Sequence, residues 1–263
     1  ITVVFNHGVQ VGIYNGDANK LQEDFELLRP TAICAVPRIF QRIYEGINNK
    51  LKNEKNIVRK IFETAMKIKM KDYNETGILK NILLDNLIFR KVRNSFGGRL
   101  RFMLVGSAPV ESEIINFLRC ALSCEIVEGY GQTEDIAGVL LTRTIDPITQ
   151  HLGGPGFSCE IKLRDVPELG YTSKTLDDKG RLRPSGELMV RGPIIFKGYF
   201  RDKEKTKKTI EEDGWMHSGD IATIIPEHGN AVRIVDRVKN IFKLQQGEYI
   251  SPEKIENILM EDN

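Results

Sequence analysis

The order of apolar, turn-forming and helix-like segments predicts an α/β protein: a mostly parallel sheet flanked by helices, followed by a small antiparallel β subdomain. Three observations carry that expectation. Strand-like and helix-like runs alternate from Thr31 onward, which is the pattern of a sheet covered by helices. The turn Gly106-Ser107-Ala108-Pro109 carries a strand-like run directly into a helix-like one, as at the carboxyl edge of a parallel sheet. Beyond Gly153 the alternation stops, and short strand-like runs separated by Gly and Pro turns take its place.

In chain order, residues 1–11 mix β-branched and polar residues as a strand and loop do, and Gly12 to Asp17 reads as a strand ending in a turn. Asp17 is the expected N-cap of a helix over Asn19 to Arg29, with Leu21, Phe25 and Leu28 at helical spacing and Pro30 as its stop. Thr31 to Val36 is a short buried strand. Pro37 then opens a helix at its favoured first position, with Ile39, Phe40, Ile43, Tyr44 and Ile47 facing inward. From Lys50 to Lys71 eight Lys or Arg stand against Glu54 and Glu63, interleaved with Ile57, Ile61, Ala65 and Ile68 at helical steps. That basic amphipathic helix either lies on an anionic membrane surface or presents a solvated face whose lysine stems cover the core. Asn74 to Gly77 breaks it, and a further helix from Ile78 to about Phe96 leads to Gly97-Gly98.

Leu100 to Val105 alternates as a strand into the Gly106 turn, and Glu111 to Leu122 is helical. Glu125-Ile126-Val127 is the end of a buried strand, from which Gly129 and Gly131 let the chain turn on either side of Tyr130. A strand follows around Gly138 to Thr142, then the turn Asp146-Pro147, then Gly153 to Gly156 as a tight bend. Ile161 to Asp165, Gly186 to Arg191 and Ala222 to Ile225 are the short strands of the second layer, with Gly180 and Pro184 at its turns. The expected division is an α/β subdomain over 1–175, a small β subdomain over 176–237, and a further segment over 238–263.

At 263 residues, 41% hydrophobic and 28% charged, the composition is that of a globular protein with a sizeable core. A formal charge of +2 is too small to imply a nucleic-acid partner. No apolar run reaches the length of a membrane span, and the chain starts at Ile1 without a Met or a basic leader, so it is expected to begin inside a longer protein. The expected location is intracellular, cytoplasmic or on the cytoplasmic face of an internal membrane. Cys34, Cys120, Cys124 and Cys159 sit mostly in apolar context, as buried thiols in a reducing compartment do. Neither they nor the four His have metal-ligand spacing.

The residues from Glu128 to Glu134 combine a bendable backbone, an aromatic plate, a hydroxyl and a carboxylate. Tyr130 can lie against a flat ring such as a purine, Thr133 can hydrogen-bond a phosphate oxygen, and Glu134 can hold the Mg²⁺ that neutralises phosphate charge. An ordinary loop with two glycines and a solvated Glu is the alternative. Asp220 can accept the vicinal hydroxyls of a ribose and Arg237 can donate to sugar or phosphate oxygens, though each alone also reads as a turn residue and a salt-bridge partner.

The heptapeptide resembles the Tyr-Gly-x-Thr-Glu motif of adenylate-forming enzymes, and the chain as a whole resembles the long-chain fatty-acid CoA ligases, the AMP-forming acyl-CoA synthetases. Val36 to Tyr44, the Gly106 turn, Gly153 to Pro155, Gly186-Glu187, Arg191-Gly192-Pro193, Asp213 to Lys243 and Gly247 to Ile250 carry the likeness. The resemblance implies the large domain of that fold, in part, and two half-reactions with ATP, Mg²⁺ and CoA: a fatty acid becomes acyl-AMP and pyrophosphate leaves, then the CoA thiol displaces AMP. It places Tyr130 on adenine, with Gly106, Ser107, Ala108, Pro109, Glu128, Gly129, Gly131 and Gln132 lining it. It places Thr133 at the α-phosphate, Glu134 on magnesium, Asp220 and Arg237 on the ribose, and a domain hinge at Lys239. The loop that grips the outer phosphates has no match and is expected upstream of Ile1, and the lysine of the small domain is expected beyond Asn263. Ser218 stands where Thr is usual and Asn240 where Asp is common. A central fragment, inactive alone, is therefore expected. A non-catalytic nucleotide- or acyl-binding relative and a ligase for a different carboxylic acid are the alternatives.

Overall fold

Prolines and left-handed residues punctuate the first part of the chain. In the computed structural model, which describes residues 7–17, 20–238, 240–243 and 249–250, helix α1 (Leu21–Leu28) ends at Arg29 with φ 49°, one residue before Pro30. Residues 9–15 form no regular structure, so the strand expected there is absent. Asp17 is not the cap either: Lys20 holds that position, and its amide donates to the Asp17 carbonyl. Strand β1 (Ala32–Ala35) is short and only Ile33 is buried. Cys34 is exposed, against the expectation of a buried thiol.

The chain separates into two compact units interleaved along the sequence, the first made of the described parts of 1–105, 112–127 and 144–147, the second of the described parts of 106–111, 128–143 and 148–263. In the first, α2 (Pro37–Lys52) starts on its proline and buries Phe40, Ile43 and Ile47. It is separated from α3 (Asn56–Thr76) by a break at Asn53 to Lys55, so the expected continuous basic helix is two helices. Helix α3 buries Phe62, Ala65, Met66, Lys69 and Tyr73, whereas Ile57, Ile61 and Ile68 are 67%, 51% and 46% exposed. The isoleucine stripe and the aromatic stripe are both helical in period, but rotated by about one residue. The aromatic one wins because Phe62 meets Phe89 and Phe117, with ring centroids 5.0 and 6.2 Å apart.

Gly77 (φ 70°) closes α3, and the single helix expected over Ile78 to Phe96 is two short ones, α4 (Ile82–Leu87) and α5 (Arg90–Asn94). The first of them carries a buried charge. Asp85 on α4 accepts from Lys69 Nζ (2.6 Å), the Ser123 hydroxyl (2.7 Å) and the Asn81 amide (3.1 Å), while Lys69 also donates to the Cys120 carbonyl (2.7 Å). A buried ammonium needs each of these partners, and meeting them fixes α4 against α3. Strand β2 (Phe102–Val105) pairs in parallel with β1, Ala32 opposite Phe102 and Ala35 opposite Val105. Helix α6 (Ser112–Leu122) packs Ile115, Leu118 and Leu122 inside, and β3 (Glu125–Tyr130) begins here and continues into the second unit.

In the second unit β3 runs on through Gly129 and Tyr130 rather than turning there. It pairs antiparallel with β4 (Leu140–Leu141), which pairs with β5 (Gly154–Pro155). Four antiparallel strands follow in sequence order: β6 (Glu160–Arg164), β7 (Ser185–Arg191), β8 (Met216–Ile225) and β9 (Ala231–Arg237), with helix α7 (Lys203–Thr209) between β7 and β8. Val139, Leu140, Leu188, Val190, Met216, Ala222 and Val232 form their core. Strand β8 starts six residues before the expected Ala222, so the segment holding Ser218 and Asp220 is strand and not turn. The units cross the expected boundary at 175/176, since Glu160–Arg164 pairs with β7. Phe242–Lys243 and Tyr249–Ile250 form a two-stranded antiparallel ladder. Lys239, and most of the segment 238–263, lie outside the described residues.

Candidate active site

Four of the residues singled out in the sequence, Tyr130, Gln132, Asp220 and Arg237, meet at one carboxylate of the second unit, that of Asp220. Asp220 on β8 stands directly opposite Arg237 on β9, and the register shifts between Ile221 and Ala222, one residue beyond the pair. Such an irregularity re-aims side chains at the edge of a ladder. The Asp220 side chain is 5% exposed and the Arg237 side chain 55% exposed, and Arg237 Nε donates to Asp220 Oδ1 at 2.8 Å. The other oxygen, Oδ2, accepts from the Tyr130 hydroxyl at 2.5 Å and from Gln132 Nε2 at 2.6 Å. Gln132 also reaches the Tyr130 oxygen (3.1 Å) and the Ser218 carbonyl (2.9 Å), and the Asp220 amide donates to Ser218 Oγ (3.1 Å). Tyr130, Gln132, Ser218, Asp220 and Arg237 are thus one hydrogen-bonded group. Its acid and guanidinium touch directly.

Burial, and then the Asp220 charge, raise the Tyr130 pKa well above the ordinary phenol value, so the phenol keeps its proton and serves as a donor. That hydroxyl anchors the ring in one plane while the ring packs on the core of the second unit. The Gly106 turn lies against the same strand: a Cβ on Gly106 would stand 3.2 Å from the Gly129 carbonyl oxygen. Ser107 takes φ 78°, a strained value for a side-chain-bearing residue, and Ser107, Ala108 and Pro109 are exposed. Glu128 is buried, and its amide and carbonyl are both bonded to Thr142 (2.9 Å each).

The chain leaves β3 through a one-turn 3₁₀ helix, Thr133–Asp135, closed by a reciprocal box between Gln132 and Asp135. Gly131 is needed there for space, since a Cβ would come within 2.3 Å of the Ala137 backbone. Ile136 (φ 57°) and Ala137 (φ 59°) are both left-handed, so the turn expected at Gly129 and Gly131 falls on these two residues instead. Asp135 is fully buried, and burial raises its pKa against the lowering effect of the Gln132 and Ala137 amides.

Thr133 is exposed. Glu134 is partly buried, and its Oε1 accepts from the Tyr199 hydroxyl at 2.8 Å while its carbonyl accepts from the Phe196 amide at 2.8 Å. Burial and the Glu134 carboxylate raise the Tyr199 pKa, and Lys205 Nζ lies 3.8 Å from the centre of the Tyr199 ring. The sequence reading missed Tyr199. The one available signal was the segment Lys197-Gly198-Tyr199, an aromatic after a glycine with φ 137°, which by itself marks only a bend. Magnesium takes few protein oxygens and keeps phosphate and water oxygens as its other ligands, so one partly buried carboxylate with an oxygen that Tyr199 leaves over fits that ion. Among the described residues no cluster of three or more His, Cys, Asp or Glu forms a metal cage.

The sequence model of the family described as AMP-binding enzyme matches residues 1–200. Long chain acyl-CoA synthetase 7, peroxisomal, of Arabidopsis thaliana is 46% identical over 95% of this chain and 35% of its own length. Long-chain-fatty-acid--CoA ligase 1 of Homo sapiens is 42% identical over 98% of this chain and 35% of its own length. Among solved structures, the A domain of a carboxylic acid reductase from Segniliparus rugosus, in complex with AMP and a co-purified carboxylic acid, superposes with a TM-score of 0.64. It has 29% identity over 94% of this chain and 33% of that one. The chain spans about a third of the length of the curated relatives it matches.

Proposed function

The chain belongs to the AMP-binding enzyme family, and from that premise we propose that the complete protein activates a long-chain fatty acid with ATP and passes the acyl group to CoA. The observation that carries this reading is the likeness, over nearly the whole chain, to relatives named for long-chain acyl-CoA synthesis. The geometry of the second unit supports the assignment of roles. Tyr130, fixed by its bond to Asp220, offers a ring face to adenine, and the Gly106 turn with Glu128, Gly129, Gly131 and Gln132 borders it. Asp220 accepts from the ribose hydroxyls while Arg237 donates. Thr133 donates to the α-phosphate, and Tyr199 orients the Glu134 carboxylate that would hold magnesium. When bound, that ion supplies charge neutralisation at the phosphates.

The two half-reactions are acyl-AMP formation with loss of pyrophosphate, and displacement of AMP by the CoA thiol. Neither calls for a nucleophilic side chain, so positioning and preorganised charge are what the chain contributes. Lys239 is the proposed pivot between them. The test is exchange of labelled pyrophosphate into ATP by the full-length protein. Exchange is expected only with fatty acid present, and Glu134→Ala is expected to reduce it at least about a hundredfold, the scale of one removed charge-stabilising group. A protein that binds nucleotide without exchange is the non-catalytic relative, and exchange with aryl or short acids alone indicates another substrate class.

The exposure of Ile57, Ile61 and Ile68 beside Arg59, Lys60, Lys67 and Lys71 on α3 favours a second role, contact with an anionic membrane surface. Among the described residues no helix is long and apolar enough to cross a membrane. Co-sedimentation with anionic vesicles, lost in Ile57→Glu/Ile61→Glu, tests this.

A further inference from the structure

A cavity of about 1020 Å³ opens at the amino ends of β1, β2 and β3 in the first unit, whereas the Gly106 turn leaves β2 at its carboxyl end. Its lining is unusual in charge. Lys80, Arg93, Arg99 and Arg101 line it together with one carboxylate, Glu125. Among the described residues none of these four cations makes a side-chain hydrogen bond or an ion pair, and none serves the site around Asp220. Glu125 is already engaged, since its Oε2 accepts from the Ile145 amide at 3.2 Å. Asp85, a buried acid on α4, is spent on Lys69 and Ser123, the latter itself in the cavity wall.

The backbone holds these groups in place. The Arg101 amide donates to the Thr31 carbonyl (2.9 Å), and the Arg101 carbonyl accepts from the Glu125 amide (3.2 Å). Arg99 and Arg101 are two residues apart where the chain enters β2, the spacing that puts side chains on one side of an extended segment. The remaining wall is apolar: Leu79 and Leu100 are buried at its base, and Ile78 and Ile145 stand 62% and 61% exposed at its edge. Four unpaired cations over an apolar floor suit a ligand with a multiply charged anionic head and a hydrocarbon body.

We propose that this cavity is a second ligand site, separate from the nucleotide site, and that it binds a phosphate monoester carrying an alkyl chain. The phosphate is held by Arg93, Arg99, Arg101 and Lys80, and the first methylenes lie on Leu79, Leu100 and Ile145. The same head group occurs free in solution and at a membrane surface, so the test has an arm for each.

Full-length protein is titrated with dodecyl phosphate below its micellar concentration, with dodecanol, and with phosphatidylcholine vesicles containing phosphatidic acid. Saturable binding of dodecyl phosphate that weakens as salt is raised is expected, with dodecanol much weaker. Arg99→Gln/Arg101→Gln, both exposed positions, should weaken dodecyl phosphate about tenfold with unchanged thermal stability, each exposed cation contributing about threefold. Glu125→Gln, which keeps an acceptor for Ile145 and removes the opposing charge, should strengthen it. A loss of vesicle binding in the double variant that parallels the loss of dodecyl phosphate assigns the site to the membrane surface. Vesicle binding that is unchanged assigns it to a soluble ester. Absence of saturable dodecyl phosphate binding, as when the rest of the protein covers the cavity, overturns the proposal, and so do equal affinities in wild type and the double variant. None of these outcomes depends on ATP or pyrophosphate exchange, so the proposal fails separately from the ligase reading.

Discussion

Replacing Asp220 by alanine removes the one carboxylate on which Tyr130, Gln132 and Arg237 converge, and the cost can be worked from their surroundings. The Tyr130 hydroxyl loses its charged acceptor at 2.5 Å, which costs about 1–3 kcal/mol for a buried donor left short. Arg237, 55% exposed, turns to water and adds less than about 1 kcal/mol. Gln132 keeps the Ser218 carbonyl and adds little. The sum is about 1–4 kcal/mol. Tyr130→Phe alone gives up a hydrogen bond to a charged group, about 1.5–3 kcal/mol, but in an Asp220→Ala background it removes the orphaned donor instead. The two substitutions should therefore be strongly non-additive, with a coupling of about 1.5–2 kcal/mol. Urea unfolding followed by fluorescence reads this directly. Trp215, the chain's single tryptophan, immediately precedes β8 and lies between Lys162 and Arg191, 4.3 and 4.6 Å from its ring. Additivity within about 0.5 kcal/mol would refute the hydrogen-bonded group as described.

Other consequences are equally open to measurement. Gly131→Ala drives a methyl into the Ala137 backbone at 2.3 Å, so a loss of at least about 2 kcal/mol is expected in the same unfolding assay; a neutral substitution would mean that the turn relaxes freely. Asp85→Ala leaves Lys69, 1% exposed, without its counter-charge and should cost about 3–5 kcal/mol, with part recovered when Lys69→Met is added; a further loss on adding it would contradict the orphaned cation as the cause. Burial, with a smaller effect from Glu125, pushes the Cys124 thiol from 9.0 up to about 12. The folded state then keeps a proton that the unfolded state releases, so this contribution is intact below pH 9 and falls as pH rises toward 12. Between pH 8 and pH 10 the native protein should lose about 1.4 kcal/mol more stability than Cys124→Ala, and parallel losses in both would remove the thiol from the account.

What the sequence made legible was punctuation and composition; what it hid was rotation and partnership. Pro30, Pro37 and Gly77 announced helix ends because their backbone constraints act locally, whatever packs nearby. The inward face of α3 was not legible in the same way. Two stripes of equal period compete there, the expected Ile57-Ile61-Ala65-Ile68 and the observed Phe62-Ala65-Lys69-Tyr73, which share Ala65, and only Phe89 and Phe117, residues distant in sequence, decide between them. A lysine in the winning stripe looked like solvent until Asp85, Ser123 and the Cys120 carbonyl were seen around it. The candidate site divides along the same line. The stretch Glu128 to Glu134 could be picked out, since its glycines, aromatic and acid are adjacent. That Asp220 lies in a strand, bonded to Tyr130 ninety residues away, is a fact of register, and Tyr199 beside Glu134 is a fact of how a separate loop returns.

The central claim is that the group formed by Tyr130, Gln132, Asp220 and Arg237 receives an adenylate. Equilibrium binding of a non-hydrolysable fatty acyl-adenylate mimic, an acyl sulfamate of adenosine, to the full-length protein tests it most directly. Two lost hydrogen bonds to a charged acceptor predict that Asp220→Ala weakens the mimic about a hundredfold, while the same acyl chain on a non-nucleoside sulfamate binds wild type and variant alike. An unchanged affinity of Asp220→Ala for the adenosine mimic would contradict the claim.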